Sequence, residues 1–236
     1  MEARVALVTG ASQGLGRALA DRLADDGWTL VVDARRADRL DRVAAELSAR
    51  TRVVAVPGDV ADPAHRDDLV EAVRREGRLD LLVNNASTLG ASPLPGLDTI
   101  DPDVLRRVYD VNVVAPVALT QPLLELLEAC GGAVVNVTSD AGAEAYPGWG
   151  GYGSSKAALE HASAVLALER PGVRVLVVDP GDMLTEMHQD AFPGEDISDR
   201  PEPEDRVPPL VALLESDQPS GRYEASALVP AGTRQP

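Results

Sequence analysis

Short apolar runs rich in Val and Leu recur along the chain, separated by charged segments with helical periodicity. The clear runs cover residues 5–8, 30–34, 53–56, 81–84, 133–137 and 173–178, and a weaker run covers 227–229. The helical patterns lie near residues 14–25, 37–49, 63–76, 101–129, 152–169 and 204–216. Continuous apolar strands that alternate with helices are typical of a parallel sheet with helices on both faces. We therefore expect a doubly wound α/β fold with a parallel sheet of about seven strands.

This fold class also predicts where a functional site lies. Doubly wound sheets bind ligands beyond the carboxyl ends of their strands, so functional side chains should follow the apolar runs. The chain shows no internal repeat, and its 236 residues suit one domain over 1–236. Residues 182–209 are rich in Pro, Asp and Glu. Long segments of this kind are usually lids or binding loops, so we expect a mobile acidic loop there.

Acidic residues dominate the charge of the chain. The 38 Asp and Glu residues outnumber the 22 Lys and Arg residues, which gives a net charge of −16. Nucleic acids and anionic membrane surfaces bind proteins through Lys and Arg, so we expect neither as a partner. No apolar stretch approaches the roughly 20 residues of a membrane span. We expect a cytoplasmic protein.

Metal-binding and disulfide chemistry find little support in the sequence. Cys130 is the single cysteine, which excludes an intrachain disulfide and a thiolate zinc site. His65 and His161 lie in separate helical patterns, and His188 lies in the acidic segment, where a lid residue is the simpler interpretation than a catalyst. We therefore expect no metal site.

Glycines follow the first apolar run, in the segment TGASQGLG. Gly10, Gly14 and Gly16 stand immediately before a helical pattern. Glycines at such a turn let the backbone approach a pyrophosphate, whose charge the helix N-terminus stabilises. Their spacing, G-x-x-x-G-x-G, differs from the general G-x-G-x-x-G dinucleotide fingerprint. On these residues alone, the loop is either a phosphate site or a structural turn between strand and helix.

Lys156 is the only lysine among the 22 basic residues. A compositional bias towards Arg accounts for the others. An ammonium is a compact charge whose pKa can be lowered, whereas a guanidinium is planar and permanently charged. A site that needs an ammonium cannot accept an Arg. Lys156 is therefore either a functional residue or a chance exception, and its neighbours decide between the two.

Several short motifs occur in an order and spacing that resemble the short-chain dehydrogenase/reductase family. They are TGASQGLG at 9–16, GDV at 58–60, NNA at 84–86, Asn112, Ser139, YGSSK at 152–156 and PGDMLT at 180–185. The resemblance extends from residue 5 to about residue 232. It implies a three-layer Rossmann-type domain, a nicotinamide cofactor, and hydride transfer between that cofactor and a small carbonyl or alcohol substrate.

The resemblance implies a catalytic group of Asn112, Ser139, Tyr152 and Lys156. Tyr152 and Lys156 are four residues apart in a helical pattern, so they share one helix face. A nearby positive charge stabilises a phenolate. We expect Lys156, helped by the positive nicotinamide ring of the oxidised cofactor, to lower the pKa of Tyr152, which then acts as general acid and base. Ser139 would donate a hydrogen bond to the substrate oxygen, and Asn112 would hold a water that connects Lys156 to solvent. Taken singly, Ser139 is as well explained as a turn cap, and Asn112 as a satisfied amide.

The resemblance also assigns cofactor-binding positions. They are Gly10, Ser12, Gln13, Gly14, Leu15, Gly16, Arg35, Arg36, Asp59, Val60, Asn85, Ala86, Tyr152, Lys156, Pro180, Gly181, Met183 and Thr185. After its second strand the family has an acidic residue for the ribose of NAD, or an Arg for the 2′-phosphate of NADP. Ala34 and Arg35 occupy these positions, so NADP(H) is the expected cofactor and NAD(H) the alternative. Asp33 lies one position earlier and should point to the other side of the strand.

Two further expectations concern the substrate side. The family usually has Gly where this chain has Ser87, so Ser87 would be mildly strained if that position needs a positive φ. Candidate residues for an apolar substrate wall are Tyr146, Trp149, Met183, Met187 and Phe192. Residues 182–217 carry 11 acidic and 2 basic residues. This charge should repel anionic acyl carriers and favour a neutral or cationic carbonyl or alcohol.

Two other functions remain open at this point. One is an NAD-dependent alcohol dehydrogenase of the same fold. The other is a cofactor-sensing protein without catalysis, a class that typically lacks the Tyr or the Lys. The resemblance also implies a homodimer or homotetramer, formed through the helices at 101–129 and 152–169.

Overall fold

Seven parallel strands form the central sheet of the structure, a computed structural model that describes residues 3–228. The strands are β1 Val5–Val8, β2 Thr29–Ala34, β3 Val53–Pro57, β4 Leu81–Asn84, β5 Ala133–Val137, β6 Arg174–Asp179 and β7 Gly221–Glu224. Their order across the sheet is β3-β2-β1-β4-β5-β6-β7, and every neighbouring pair is parallel. The expected doubly wound α/β fold is confirmed. The order reverses between β1 and β4, at the point where such sheets bind ligands.

Helices cover both faces of this sheet. They are α1 Gly14–Asp25, α2 Ala37–Leu47, α3 Pro63–Glu76, α4 Pro102–Tyr109, α5 Ala115–Thr120, α6 Leu124–Cys130, α7 Gly150–Glu169, α8 Glu186–Ala191 and α9 Val207–Glu215. On one face, Leu19 of α1, Leu40 of α2 and Leu210 of α9 belong to one buried apolar cluster. On the other face, Leu69 of α3 and Leu127 of α6 belong to a second. The strands lie between these two clusters, which explains why their apolar runs are continuous rather than alternating.

Asp-Pro pairs begin two of the helices. The Asp62 carboxylate accepts a hydrogen bond from the Ala64 N–H, with Pro63 at the first helical position. The Asp101 carboxylate accepts from the Asp103 N–H in the same way, before Pro102. Both pairs satisfy a free N–H and remove another that would have had no partner. Capping therefore places these helix starts within a residue or two of the predicted ones.

The helical pattern predicted near 101–129 forms one continuous but irregular run, Pro102–Cys130. A π-helical segment, Asp110–Val114, separates α4 from α5, and a 3₁₀ turn, Gln121–Leu123, separates α5 from α6. Two prolines explain the irregularity, because Pro116 and Pro122 lack the N–H that a regular helix needs.

The length and apolar composition of the run Pro102–Cys130 meet the criterion for a membrane-spanning helix, with a mean hydropathy of 1.4. This finding corrects the expectation that no stretch approaches that length. A buried core helix meets the same criterion. Leu119, Leu123 and Leu127 of this run are completely or almost completely buried in the second apolar cluster, on the face of the sheet that α3 covers. Packing against the sheet accounts for these apolar residues.

The strand predicted at 227–229 is wrong. The seventh strand is β7, Gly221–Glu224, which pairs with β6 from Leu176 to Asp179. Ala227 ends a 3₁₀ turn instead, and residue 229 lies outside the described residues. The sequence of β7 is GRYE, and none of its residues is fully buried. A short polar strand at a sheet edge carries no apolar run, so the pattern did not reveal it.

Part of the segment 182–209 is helical, which corrects the expectation of a loop. It contains α8, a 3₁₀ turn at Pro203–Arg206 and the start of α9. The Thr185 hydroxyl caps α8 by accepting a hydrogen bond from the His188 N–H. An N-cap of this kind lets a six-residue helix form in an otherwise irregular, Pro-rich segment. The mobility of the segment stays a prediction.

Candidate active site

A cleft of about 810 Å³ lies beyond the carboxyl ends of the strands. Most of the residues that the sequence singled out line it. They are Gly10, Ser12, Gln13, Gly14, Leu15, Arg35, Arg36, Asp59, Val60, Asn85, Ala86, Ser139, Tyr152, Lys156, Pro180, Gly181, Met183 and Thr185. Gly16 and Asn112 are the two that do not contribute to its wall. The cleft therefore brings together loops that are up to 175 positions apart in the sequence, from Gly10 to Thr185.

The glycine loop is shaped by close approach of backbone to backbone. Gly10 has φ +67° and Gly14 has φ +55°, values that L side chains rarely adopt. Gly16 has no such φ, but a Cβ on it would lie 2.5 Å from the Gly10 carbonyl oxygen and closer still to the Asn85 amide nitrogen. Gly16 therefore lies behind the loop, where it lets the N-terminus of α1 pack against Gly10 and Asn85.

Hydrogen bonds join the glycine loop to the loop after β4. The Thr9 hydroxyl accepts from the backbone N–H groups of Asn85 and Ala86, each at 3.0 Å, and donates to the Val83 carbonyl at 3.1 Å. The Asn85 side chain donates to the carbonyl oxygens of Thr9 at 2.8 Å and Gly10 at 3.2 Å. The Asn85 amide thus holds the loop in place as well as lining the cleft.

Asp33 is turned inward at the end of β2. Its carboxylate is 1% exposed, accepts from the Gly10 N–H at 2.8 Å and lies 3.0 Å from the His65 ring nitrogen. Burial raises the pKa of Asp33, although the hydrogen bonds from His65 and Gly10 oppose the change. Asp33 therefore supports the glycine loop from within. Arg35 and Arg36, the next side chains to line the cleft after buried Ala34, are both exposed.

Tyr152 and Lys156 lie on the buried face of α7, where they are 8% and 2% exposed. The Lys156 ammonium donates to the Val137 carbonyl at 2.8 Å and lies 5.4 Å from the centre of the Tyr152 ring. α7 can pack close to the turn after β5 because residue 153 is Gly. Any larger residue at this position would have a Cβ that collides with the Ala141 carbonyl oxygen. The expected sharing of one helix face is confirmed.

The protein groups alone do not lower the pKa of Tyr152, and the lowering expected with the oxidised cofactor bound stays a prediction. Burial raises the pKa of Tyr152 to about 12, and the carboxylates of Asp179 and Asp140 act in the same direction. Burial also lowers the pKa of Lys156 to about 8. Desolvation is the largest cause for both groups, because burial disfavours the charged form of each. At neutral pH, Tyr152 is accordingly protonated, and Lys156 remains charged.

Ser139 both caps a turn and lines the cleft. Its hydroxyl accepts from the Ala141 N–H at 3.2 Å and donates to an Asp140 carboxylate oxygen at 2.9 Å. A hydrogen bond from Ser139 also lowers the pKa of Tyr152. Capping uses only an acceptor position of the hydroxyl, so it is compatible with the expected donation. The one proton of Ser139 must leave Asp140 in order to be donated to a substrate oxygen.

Asn112 is buried inside the π-helical segment. Its side chain accepts from the Thr88 N–H at 2.9 Å, and it donates to the Thr88 carbonyl and the Ser155 hydroxyl, each at 3.0 Å. These contacts tie α7 to the loop after β4. Pro116, four residues later, has no N–H to offer the Asn112 carbonyl. The role of Asn112 in holding a water stays a prediction.

Ser87 is a functional candidate that the sequence reasoning treated only as a source of strain. No residue other than Gly has a positive φ among residues 3–228, so Ser87 is unstrained. Its hydroxyl donates to the Asn112 side-chain oxygen at 3.1 Å. A hydrogen bond from Ser87 also lowers the pKa of Tyr152. Ser87 therefore adds a second hydroxyl beside the phenol, at a position where Gly would supply none.

Arg222 of β7 holds three carboxylates behind the cleft. Its guanidinium lies 2.8 Å from Asp179, 3.3 Å from Glu160 and 3.0 Å from Glu224. Asp179 in turn accepts from the Gly181 N–H at 2.9 Å, and Glu160 accepts from the Thr138 hydroxyl at 2.5 Å. Arg222 thus connects α7, the end of β5 and the loop after β6. The first two carry Tyr152, Lys156 and Ser139, and the third carries cofactor-binding candidates.

Aromatic rings line the cleft beside Tyr152. The Trp149 ring lies 5.7 Å from the Tyr152 ring, in an edge-to-face arrangement, and 5.8 Å from the Phe192 ring. The side chains predicted to form the substrate wall all line the cleft. They are Tyr146, Trp149, Met183, Met187 and Phe192.

Comparison with known proteins identifies the family. A family model described as "short chain dehydrogenase" matches residues 4–196, most of the chain. This chain belongs to the short-chain dehydrogenase family. As a member of it, the protein is an NAD(P)-dependent oxidoreductase.

Named relatives of this short-chain dehydrogenase include reductases. Sulfoacetaldehyde reductase 2 of Chromohalobacter salexigens is 40% identical over 190 residues, which cover 77% of this chain and 73% of the relative. Sepiapterin reductase of Bos taurus is 36% identical over 197 residues, covering 78% and 74%. The crystal structure of an alcohol dehydrogenase from Thermococcus sibiricus, complexed with 5-hydroxy-NADP, superposes with a TM-score of 0.85 at 28% identity, covering 94% of this chain and 96% of that one.

Sequence reasoning missed two residues of this short-chain dehydrogenase's site for different reasons. Arg222 is one of many arginines and lies in a strand that the pattern did not detect. Asp140 follows Ser139 directly, but only the structure shows that its carboxylate touches the Ser139 hydroxyl. Its position next to a catalytic candidate was the one available signal.

The buried ammonium of this short-chain dehydrogenase should reduce its stability at neutral pH. The pKa of Lys156 falls from 10.5 to about 8 on folding, so below pH 8 folding confines a charge that water would solvate better. We expect Lys156→Met to raise the free energy of unfolding at pH 7 by about 1–3 kcal/mol, because each pKa unit corresponds to about 1.4 kcal/mol. Urea unfolding at several pH values measures the effect.

The pH dependence provides the internal control for this prediction. Between about pH 8 and 10.5 the folded chain loses the Lys156 proton while the unfolded chain keeps it, so the wild type gains stability as pH rises. The advantage of Lys156→Met should shrink over that interval. An advantage that is absent at pH 7, or that grows with pH, would contradict the assignment.

Proposed function

We propose that the protein is an NADP(H)-dependent oxidoreductase that transfers hydride between the nicotinamide and a small carbonyl or alcohol substrate. The observation that carries the proposal is the buried Tyr152 and Lys156 pair beside the Ser139 hydroxyl, in a cleft that begins at a glycine loop. The phenol holds a proton at neutral pH, and the ammonium beside it is charged. This is the donor set that reduction of a carbonyl oxygen requires.

The residues present fit a dinucleotide cofactor. Gly10 and Gly14 have backbone conformations that favour Gly, and both glycines line the cleft. Asn85 and Ala86 would flank the adjoining ribose, and residues 180–185 would hold the carboxamide end. When bound, the nicotinamide supplies or accepts the hydride.

The chain's own residues would manage the proton. In the reduction direction Tyr152 donates its proton to the carbonyl oxygen, and Ser139 donates a hydrogen bond to the same oxygen as its negative charge develops. The phenolate left behind is stabilised by the Lys156 charge and by the hydroxyls of Ser87 and Ser139. Asn112 keeps α7 in register with the loop after β4. In the oxidation direction the same groups act in reverse.

Mutation of the pair tests the catalytic assignment. We expect Tyr152→Phe to lower kcat/KM for NADPH-dependent reduction by about 10²–10⁴-fold, since the proton donor is lost. Lys156→Arg keeps the charge but places a larger fork in a fully packed position, and a loss on the order of 10²-fold should follow. The measurement is NADPH absorbance with a panel of aldehydes and ketones, with folding checked by circular dichroism. Near-normal turnover of Lys156→Arg would refute the need for an ammonium.

The preference for NADP(H) is supported by the residues after β2. Asp33 is buried and engaged by Gly10 and His65, so it is not free to bind ribose hydroxyls. Arg35 is exposed beside the cleft and forms no ion pair with any residue from 3 to 228, and Arg36 stands next to it. A guanidinium in this position suits a 2′-phosphate. The T. sibiricus enzyme, which was crystallised with 5-hydroxy-NADP, is consistent with this choice.

Arg35→Ala tests that preference. A hydrogen bond to a charged group contributes about 1.5–3 kcal/mol, so KM for NADPH should rise by roughly 10- to 100-fold, while KM for NADH should stay nearly constant. Arg42→Ala provides the control, because Arg42 is an exposed Arg of α2 that pairs with Asp38 away from the cleft. Equal effects on both cofactors, or a wild type that works better with NADH, would favour the NAD-dependent alternative.

We further infer a homo-oligomer formed through the helical run Pro102–Cys130 and α7. Val114 and Val117 of the first, and Val165 and Leu168 of the second, are exposed, Leu168 to 84%. Apolar side chains grouped on a surface usually mark an interface. We expect light scattering to give a multiple of the 24.8 kDa chain mass, and Leu168→Glu to reduce it. A monomeric wild type would contradict the inference.

A further inference from the structure

Asp140 is distinguished from the other aspartates of the cleft by its partners. Four of these aspartates have a basic partner. The pairs are Asp33 with His65, Asp59 with Arg107, Asp179 with Arg222 and Asp182 with Arg200. Asp140 forms no ion pair with any residue of the described part of the chain, and its carboxylate is exposed to the cleft. It therefore places an unbalanced negative charge next to Ser139.

The hydrogen bonds of Asp140 do not balance that charge. One carboxylate oxygen accepts from the Ser139 hydroxyl and the Ala141 N–H. The other lies 3.1 Å from the Tyr146 hydroxyl, which also lies 3.0 Å from a Glu144 carboxylate oxygen. A phenol has one proton, so only one of these two carboxylates can receive it. Two negative charges therefore converge on a single neutral donor.

Aromatic rings stand around the same part of the cleft. Trp149 faces Phe192 at 5.8 Å and Tyr152 at 5.7 Å, and the Tyr146 ring also lines the wall. The faces of aromatic rings attract cations, particularly alkylated ammonium groups, whose surface is apolar. Arg35 and Arg36 line the cleft at the end of β2, and the Lys156 ammonium donates to the Val137 carbonyl. Among the described residues, none of these three cations forms an ion pair with Asp140.

We propose that this part of the cleft recognises an ammonium group on the substrate, bound by the Asp140 carboxylate and packed against the contacting rings of Trp149 and Phe192. The inference rests on the proposed function and names its substrate class: small aldehydes or ketones that carry an alkylated ammonium close to the carbonyl. Such a cation would balance the charge that Asp140 brings towards Tyr152. A sulfonated aldehyde, the substrate class in the name of the C. salexigens relative, would instead meet repulsion from Asp140.

A pair of isosteric alcohols tests the recognition without relying on turnover. Choline and 3,3-dimethylbutan-1-ol have nearly the same shape, and only choline is charged. Both are titrated calorimetrically into the protein with saturating NADPH, with which neither alcohol reacts. We expect choline to bind at least tenfold more tightly. In Asp140→Asn the difference should fall below threefold through loss of choline affinity, while the affinity for the neutral alcohol is retained.

A matched control separates local recognition from the general acidity of the protein. Glu195 lies in the acidic segment 182–209 and does not line the cleft. Glu195→Gln therefore removes the same charge as Asp140→Asn, but at a site outside the cleft. It should leave the choline preference unchanged. Trp149→Leu should lower the preference severalfold by removing one aromatic face. Equal affinities for the two alcohols in the wild type, or a preference that Asp140→Asn and Glu195→Gln reduce equally, would overturn the inference.

Turnover separates this inference from the function on which it rests. The two corresponding aldehydes, trimethylammonioacetaldehyde and 3,3-dimethylbutanal, are offered with NADPH. Reduction of both, with a kcat/KM ratio that falls in Asp140→Asn, supports both proposals. If neither aldehyde is reduced while the choline preference is intact, the result would contradict the proposed function and leave the ammonium recognition supported.

Discussion

The hydrogen bonds between the loops after β1 and β4 are the constraint on which the site depends. Neighbouring parallel strands bring these two loops together, and the Thr9 hydroxyl and the Asn85 amide fix their spacing. The glycine loop can then turn tightly, with Asp33 supporting Gly10 from beneath. The wall of the cleft at the N-terminus of α1 is the result. Every other part of the cleft is positioned relative to this junction.

Burial controls the chemistry at the other end of the cleft. The phenol of Tyr152 and the ammonium of Lys156 are both removed from water, and each becomes harder to charge. The phenol therefore keeps its proton at neutral pH. Hydroxyls from Ser87 and Ser139 moderate this effect, and Arg222 balances the carboxylates behind them. The protein keeps these groups poorly solvated at a cost in stability.

The sequence was sufficient for the sheet, which follows from local patterns, and for most of the cleft lining, which the resemblance to a known family implied. Apolar runs specify buried strands. Gly10 follows the first of these runs, and Tyr152 and Lys156 are four residues apart in a helical pattern. The sequence was insufficient wherever a long-range contact decides the outcome. The edge strand β7 has no apolar run, and prolines at 116 and 122 interrupt a helix that looked regular. The effect of burial on the pKa of Tyr152 was missed, because burial depth cannot be read from spacing. Ser87 was judged by its backbone alone, while its hydroxyl is what matters.

The position of Arg222 has a consequence for how such proteins are compared. Residues 4–196 match the family model, and the guanidinium that balances Asp179 and Glu160 lies beyond them, on the last strand of the sheet. Two members with identical catalytic residues can therefore differ in the electric field at the phenol, according to what their final strand carries. Similarity over residues 4–196 covers Ser139, Tyr152 and Lys156 but not the Arg222 charge that pairs with the carboxylates beside them. Divergence near the chain end is a route by which the working pH of the site can change without any change in the catalytic residues.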